Sequence, residues 1–343
     1  MSKTFFALAS GVGALAAARF VRAQRRIDFH GRTVLITGGS RGLGLVMARL
    51  FAAEGARLAL LARTAEDLEK AKKELDAFGT DVHLVPCDVR NREEVEQAIA
   101  ETVDRYGRLD VVVNNAGVIQ VGPVEHMQQE DFQDALDVHF WAPYYATEAA
   151  LPHLRARGDG RIVNIASIAG KVAVPHLAPY VASKFALVGY SDVMRAELAK
   201  YGIRVTTVSP GLMRTGSHVN ALFKGRHQEE FAWFAVSDAR PILSTKATQA
   251  AREIVEACRY GDAELTITLL AKLAVRLERL FPRSTAAAMA FADRLLPDAN
   301  GPEGDSRQTG WESFSSLAPS ELTRPADKVI AQNNELRGHA SPV

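Results

Sequence analysis

The feature that most constrains the fold is an alternation of short apolar runs with amphipathic helical patterns, repeated from residue 33 to residue 209. The apolar runs are continuous, as in strands that are buried on both faces. The segments between them place apolar residues three and four positions apart, as helices do. This alternation predicts a parallel sheet that is covered by helices on both faces.

Connections in such units are right-handed, so we expect a doubly wound Rossmann fold, a three-layer α/β/α architecture. The predicted strands are residues 33–36, 57–61, 82–86, 109–113, 161–165, 203–209 and 263–269. The predicted helices are residues 45–53, 65–78, 92–106, 130–154, 179–201 and 245–259. We divide the chain into an apolar and basic N-terminal segment (1–26), a Rossmann catalytic domain (27–260), a last strand with a C-terminal helical extension (261–297), and a linker with a polar tail (298–343).

Charge and cysteine content exclude several classes of protein. The 41 basic and 40 acidic residues give a net charge of +1, whereas nucleic-acid binding needs a surplus of Lys and Arg. Cys87 and Cys258 lie far apart and form neither a zinc motif nor a disulfide framework, which favours a reducing compartment. We therefore expect no metal site and no nucleic-acid partner.

A glycine-rich turn follows the first predicted strand, from Thr37 to Gly44. Glycines at a strand-to-helix turn let the backbone approach a pyrophosphate, and the helix N-terminus then offers N–H groups and a favourable dipole. Glycines also serve ordinary tight turns, but the position after the first strand of a βαβ series favours dinucleotide binding.

Two arginines indicate which dinucleotide. The second strand ends at Arg63, where an acidic residue would hold a 2′-hydroxyl, and the first acid after it is Glu66. Arg41 lies in the glycine turn. Two guanidinium groups beside one phosphate favour NADP(H) over NAD(H), unless each arginine is only a solvated surface residue.

Three residues form the predicted catalytic set. Tyr180 and Lys184 are four residues apart in a predicted helix and so share one face. A nearby ammonium group favours the phenolate, which would lower the Tyr180 pKa toward useful acid–base work. Ser167 follows the fifth strand, at the sheet edge where such folds bind ligands.

Together these motifs resemble the short-chain dehydrogenase/reductase family, in its shorter, non-extended branch, over residues 27–260. The resemblance implies a carbonyl/alcohol oxidoreductase in which Tyr180 is the general acid or base, Lys184 binds the nicotinamide ribose and lowers the Tyr180 pKa, and Ser167 hydrogen-bonds the substrate oxygen. It implies dimers or tetramers and a cofactor site, with Asp88 at the adenine edge. The predicted cofactor-binding residues are Gly38, Ser40, Arg41, Gly42, Leu43, Gly44, Arg63, Asp88, Val89, Asn115, Ala116, Gly117, Tyr180, Lys184, Pro210, Gly211 and Thr215.

One position departs from the family pattern. The family has an Asn in the long helix that holds a water of the proton relay, and His139 stands there in this chain. An imidazole also donates and accepts hydrogen bonds, so His139 is either a fourth catalytic residue in a modified relay or a histidine that only packs.

Apolar residues after Pro210 predict the substrate class. A loop after Pro210 that covers the site would contact the substrate, and its apolar side chains would favour an apolar, fairly bulky carbonyl or alcohol. The alternatives are that these aromatic residues form an oligomer contact or a local core. The candidate wall residues are Met213, Leu222, Phe223, Phe231, Trp233 and Phe234, with Trp141 and His176 added.

Two flanking pieces are candidates for membrane contact. Residues 5–21 are apolar and are followed by arginines, which predicts a marginal membrane anchor with the catalytic domain in the cytoplasm. A signal peptide, a transit peptide, or a docked or frayed end are the alternatives, the last giving a soluble cytoplasmic protein. Residues 265–296 are Leu-rich and basic and would lie in a membrane interface, form a dimer surface or cap the domain.

The leading hypothesis is therefore an NADP(H)-dependent enzyme that reduces a ketone or aldehyde, or oxidises the alcohol. The alternatives are a cofactor-binding regulator without activity and a membrane scaffold with the same fold. The presence of Ser167, Tyr180 and Lys184 argues against the regulator, because binding alone does not need all three.

Overall fold

The central sheet of the computed structural model has seven strands. The model describes residue 17, residues 19–299 and residues 302–342, with residues 302 and 303 described as backbone only. The strands are β1 (Thr33–Thr37), β2 (Arg57–Ala62), β3 (Val82–Pro86), β4 (Val111–Asn114), β5 (Arg161–Ile165), β6 (Arg204–Pro210) and β7 (Glu264–Ile267).

The strands lie in the order β3-β2-β1-β4-β5-β6-β7, and every neighbouring pair is parallel. The order reverses at β1, between β2 on one side and β4 on the other, which is the switch point of a doubly wound sheet. The predicted Rossmann fold is thus confirmed, and the carboxyl ends of β1, β4, β5 and β6 meet at one edge.

Helices cover both faces of the sheet. They are α1 (Gly42–Ala53), α2 (Ala65–Leu75), α3 (Arg92–Tyr106), α4 (Gln129–Leu136), α5 (Ala142–Arg157), α6 (Ala178–Leu198), α7 (His227–Ala239), α8 (Ala247–Tyr260), α9 (Leu269–Leu280), α10 (Pro282–Asp293), α11 (Arg324–Asp327) and α12 (Val329–Gln332). One apolar core joins α1, α2 and α8 to the sheet, and a second joins α3, α5 and α6 to the opposite face.

The long helix expected at residues 130–154 is helical throughout, but it is not α-helical along its whole length. A π-helical turn, Asp137–Trp141, separates α4 from α5 and contains His139. A π turn holds one residue more than an α turn, so it changes which side chains point inward. Apolar residues are spaced as in an α-helix both before and after the turn, so the sequence pattern does not indicate it.

The tail segment, which we define as residues 302–342, packs against the domain. Its residues Gln308–Thr309 form a strand that pairs with Leu222–Phe223, which in turn pairs with Gln120–Val121. Part of the stretch expected to be a linker therefore has regular structure. Among the described residues, no helix is long and apolar enough to cross a bilayer. Residues 1–16 and 18, most of the predicted anchor, lie outside the described part.

Candidate active site

One cleft at the carboxyl edge of the sheet brings the predicted site residues together. Its volume is about 780 Å³. It is lined by Ser167, Tyr180, Lys184 and His139 and by all the predicted cofactor-binding residues except Gly44. The cleft forms here because Asn115 follows β4, Ser167 lies two residues beyond β5, and Gly211 follows β6.

The glycine turn has a backbone conformation and close contacts that residues with a side chain do not tolerate. Gly38 has a φ of +64°, in the left-handed region. A Cβ on Gly44 would lie 2.1 Å from the carbonyl oxygen of Gly38. Asn115 fastens the turn, because its Nδ2 donates to the carbonyls of Thr37 (3.0 Å) and Gly38 (3.1 Å). This turn at the start of α1 has a conformation that fits the pyrophosphate of a dinucleotide.

The two arginines lie at the adenosine end of the cleft. Arg63 is exposed just beyond the end of β2, and Arg41 is half-buried with its Nε 3.6 Å from a carboxylate oxygen of Glu335. Asp88, also in this part of the cleft, is paired with Arg90 at 2.6 Å, which lowers the pKa of the Asp88 carboxyl. An acidic group and two guanidinium groups therefore line this part of the cleft, where the family binds the adenosine of its dinucleotide.

The predicted catalytic side chains lie in the same cleft, where Ser167 and Lys184 are buried and Tyr180 is half-buried. Ser167 caps a short 3-10 turn by accepting a hydrogen bond at Oγ from the Ala169 amide (3.1 Å), so its own proton remains available for another acceptor. Lys184 lies one helical turn beyond Tyr180 in α6, with its Nζ 5.6 Å from the centre of the Tyr180 ring. The Lys184 Nζ donates to the carbonyl of Ile165 (2.8 Å).

Burial dominates the acid–base properties of this pair. Burial raises the pKa of the Tyr180 phenol, and a hydrogen bond with Ser167 opposes that rise. Burial also lowers the pKa of the Lys184 amine to about 7. Lys184 therefore does not lower the pKa of Tyr180 as expected. A buried amine that loses its charge near neutral pH has little electrostatic effect on a neighbouring phenol.

Both ring nitrogens of His139 are engaged. Its Nε2 accepts a hydrogen bond from the Val118 amide (3.1 Å), so the proton of the neutral ring is on Nδ1. Nδ1 lies 2.8 Å from Ser183 Oγ, which donates to the carbonyl of Tyr180 (2.9 Å). Burial, and then the charge of Lys184, holds the pKa of His139 well below its usual range. This geometry favours the packing interpretation, in which His139 ties the loop after β4 to α6.

Half of the predicted wall residues line the cleft. These are Met213, Leu222, Trp233 and Phe234. The other four predictions are wrong for particular reasons. Phe223 and Phe231 are fully buried in a separate core under the loop. Trp141 is exposed on the outer side of the π turn, and His176 has its Nδ1 2.7 Å from Glu230 Oε1 outside the cleft lining.

The sequence did not predict that the tail segment contributes residues to the cleft. Arg307, Thr309, Glu335 and Arg337 also line the cleft, although they are far from the motifs in sequence. Their stretch of chain has no apolar periodicity and no motif, so nothing in the sequence assigned them to the site. Asp238 is another site residue that the sequence did not predict. It is a buried carboxyl in the cleft lining, and burial raises its pKa to about 7.

The comparisons with known proteins agree with the fold. The family model described as short chain dehydrogenase matches residues 32–223. The chain is 32% identical over 304 residues to dehydrogenase/reductase SDR family member 7B of Danio rerio, covering 84% of this chain and 97% of that protein. The chain belongs to the short-chain dehydrogenase family. Its members are NAD(P)(H)-dependent oxidoreductases that act on CH–OH or C=O groups.

Two further relatives are informative. Oxidoreductase UcpA of Salmonella typhimurium is 40% identical over 186 residues, which cover 54% of this chain and 70% of that protein. The crystal structure of L-sorbose reductase from Gluconobacter frateurii, complexed with NADPH and L-sorbose, is similar with a TM-score of 0.63 at 28% identity. That match covers 70% of this chain and 97% of the reductase.

Proposed function

We propose that this protein is an NADP(H)-dependent oxidoreductase that reduces a ketone or aldehyde of an apolar, fairly bulky substrate, or oxidises the corresponding alcohol. The observation that carries the proposal is the single cleft that holds Ser167, Tyr180 and Lys184 beside the glycine turn. A regulator or scaffold that only binds the cofactor would not need a phenol, a hydroxyl and an amine together in one cleft.

In the proposed reaction Tyr180 and Ser167 act on the substrate oxygen. The Tyr180 hydroxyl donates a proton to the carbonyl oxygen during reduction and accepts one from the alcohol during oxidation. The Ser167 hydroxyl donates a hydrogen bond to the same oxygen and stabilises the negative charge that develops there. Its Oγ is held in place by the Ala169 amide, so the group is oriented before the substrate arrives.

Lys184 holds a proton close to Tyr180. Its Nζ is fixed by the Ile165 carbonyl, and its pKa of about 7 lets it exchange protons near neutral pH. The nicotinamide group, when bound, supplies or accepts the hydride. Asn115, Gly117 and Thr215 line the part of the cleft between the glycine turn and Lys184, where they would hold this group's side of the cofactor.

Two features support the choice of NADP(H) and of an apolar substrate. Arg41 and Arg63 give the adenosine end positive charge, which fits a 2′-phosphate better than a 2′-hydroxyl. At the other end, Met213, Trp233 and Phe234 offer an apolar wall, and apolar contacts of this kind favour a hydrophobic substrate over a sugar or an organic acid.

The test measures NADPH consumption by the purified protein with a panel of lipophilic ketones. We expect turnover by the wild type, and for Tyr180→Phe a rate at least about 100-fold lower, the usual contribution of a positioned acid. Tyr190→Phe is the matched control, since Tyr190 lies in the same helix but outside the cleft lining. Equal rates for the wild type and Tyr180→Phe would contradict the mechanism, and a better rate with NADH would contradict the cofactor preference. Cofactor binding without turnover of any ketone would favour the regulator.

We also propose that the paired helices α9 and α10 contact an anionic lipid surface. Leu269, Leu273, Leu277, Leu280 and Phe281 are all exposed on this helix pair. Basic side chains accompany them, namely Lys272, Arg276, Arg279 and Arg283. An apolar face with basic residues beside it fits the interface of a membrane that carries acidic headgroups.

The place where the N-terminal segment meets the domain supports this location. Arg22 is bidentate to Asp262 (2.7 Å), two residues before β7 and seven before α9. The exposed Phe20 and Val21 precede that contact. The chain at Arg22 therefore meets the domain at the amino end of β7, the strand that leads into α9.

The lipid proposal is tested by co-sedimentation of the full chain with phosphatidylcholine vesicles, with and without phosphatidylglycerol. We expect more binding to the acidic vesicles, less after Leu277→Glu, and no change after Leu322→Glu, an exposed leucine of the tail segment. Deletion of residues 1–26 measures the separate contribution of the N-terminal segment. Unchanged binding of Leu277→Glu would refute a role for α9.

A further inference from the structure

Residues 333–337, which we call the clamp segment, join two parts of the cofactor cleft. The carbonyl of Asn333 accepts the Gly42 amide (2.8 Å) at the start of α1, and the Asn333 side chain donates to the carbonyl of Thr215 (2.9 Å). The side chain of Asn334 donates to the carbonyl of Ser40 (3.0 Å). The glycine turn and the loop after β6 are thereby held together by one short piece of the tail segment.

Glu335 is buried against the glycine turn. It is 2% exposed, and its Oε2 accepts from Asn220 Nδ2 (2.7 Å) and lies 3.6 Å from Arg41 Nε. Its Oε1 is 2.6 Å from the position that a Cβ on Gly42 would occupy, so a side chain there would displace the Glu335 carboxylate. The carboxylate thus directs the guanidinium of Arg41 along the adenosine end of the cleft.

Arg337 brings a further positive charge to the same place. Its side chain lines the cleft with Arg41 and Arg63, and burial followed by the charge of Arg41 lowers its pKa, with Arg63 acting in the same direction. Asp67 and Glu335 are the acids whose charges reach it. Nevertheless, neither Arg63 nor Arg337 makes an ion pair within 4 Å in the part of the chain that the structure describes.

The backbone of Arg337 is held in an unfavourable conformation. Its φ is +47°, in the left-handed region that a long side chain rarely adopts. Such a conformation persists only where the surrounding structure imposes it, and it is found at ligand sites more often than elsewhere. Here the hydrogen bonds of Asn333 and Glu335 anchor the chain just before Arg337, and the Arg337 guanidinium lies near two like charges, those of Arg41 and Arg63.

We propose that Arg337 is a third guanidinium of the site for the adenosine 2′-phosphate, and that the clamp segment makes the tail segment a wall of the cofactor site. The proposal rests on the proposed preference for NADP(H). A phosphate monoester carries close to two negative charges and three acceptor oxygens, which suits several planar guanidinium forks. The 2′-hydroxyl of NAD(H) offers no charge to balance the repulsion among three arginines.

The test is a binding measurement that does not depend on turnover. Dissociation constants of NADPH, NADH, 2′-AMP and 5′-AMP are measured by calorimetry for the wild type, Arg337→Ala and Arg324→Ala. We expect Arg337→Ala to weaken NADPH and 2′-AMP about tenfold, as for the loss of one charge-assisted hydrogen bond, and to change NADH and 5′-AMP less than about twofold. Arg324→Ala, an exposed arginine of the tail segment paired with Glu321, is expected to bind all four as the wild type does.

The outcomes separate this inference from the proposed cofactor preference. A wild type that binds NADH as tightly as NADPH would refute the preference itself. A wild type that prefers NADPH and an Arg337→Ala variant with the same preference would refute the role of Arg337 alone. Equal weakening of NADPH and NADH would also refute it, since it would show a structural effect of the clamp segment. Arg337→Lys, which keeps the charge but not the fork, is expected to lie between the wild type and Arg337→Ala.

Discussion

Lys184 provides a test of the site's electrostatics through stability. Its side chain is 3% exposed, and burial lowers its pKa from the usual 10.5 to about 7. Between these two pH values the unfolded chain holds a proton on Lys184 that the folded chain has released. The unfolded state therefore binds more protons, and the free energy of unfolding rises as pH rises through this window.

The magnitude follows from the pKa difference. One pH unit corresponds to about 1.4 kcal/mol, so the interval from pH 7 to pH 10 is worth up to about 4 kcal/mol in the wild type. Lys184→Met has no proton to release and lacks this dependence. The loss of the hydrogen bond to Ile165 adds a cost that does not vary with pH. Relative to the wild type, Lys184→Met should thus lose up to about 4 kcal/mol of stability as pH rises from 7 to 10.

Urea unfolding at pH 7, 8.5 and 10, at one protein concentration, measures this difference. Lys200→Met is the control, because Lys200 is exposed on the turn after α6, and its stability should follow the wild type at all three pH values. A difference between Lys184→Met and the wild type that is the same at pH 7 and pH 10 would show that the folded protein keeps Lys184 charged, and the reasoning from burial would be wrong.

The remaining predictions concern His139 and the glycine turn. His139→Asn should retain turnover of the ketone panel within about tenfold, because the Asn amide group can replace Nδ1 in the hydrogen bond with Ser183 Oγ, although it is too short to replace Nε2. An inactive but folded variant would show that the imidazole has a catalytic role. Gly44→Ala should lose NADPH binding and about 1–3 kcal/mol or more of stability, because its Cβ would overlap the Gly38 carbonyl. Gly189→Ala is the control, since its Cβ meets nothing within 4 Å, and it should be at least as stable as the wild type. Calorimetry and urea unfolding check both, and tight NADPH binding by Gly44→Ala would show that the turn has room to adjust.

The sheet and the cleft could be predicted from the sequence because local patterns determine them. Continuous apolar strands separated by helices allow few topologies, and right-handed crossovers then bring the strand ends to one edge. Residues that directly follow strands, such as Asn115, Ser167 and Gly211, must meet there. The positions of these residues depend on where the strands end, so the sequence alone was enough to predict that they meet.

Features that depend on long-range packing could not be predicted. Phe231 and Phe234 are one turn apart in α7 and belong to the same apolar cluster, yet only Phe234 also lines the cleft, because the residues packed around the helix decide which side chain reaches it. The pKa of Tyr180 depends on burial, which spacing alone does not show. Arg337 reaches the cleft only through the anchored backbone of Asn333 and Glu335, and neither has a sequence pattern.

The contact between Asn334 and Ser40 spans 294 positions of the chain. During synthesis the glycine turn, the sheet and the catalytic side chains are therefore made well before the segment that closes the adenosine end. Domains generally fold as units during synthesis, so the adenosine end of the cleft is closed only after the tail segment has been made. A chain interrupted between residues 297 and 332 would keep every family motif yet lack one wall of the site.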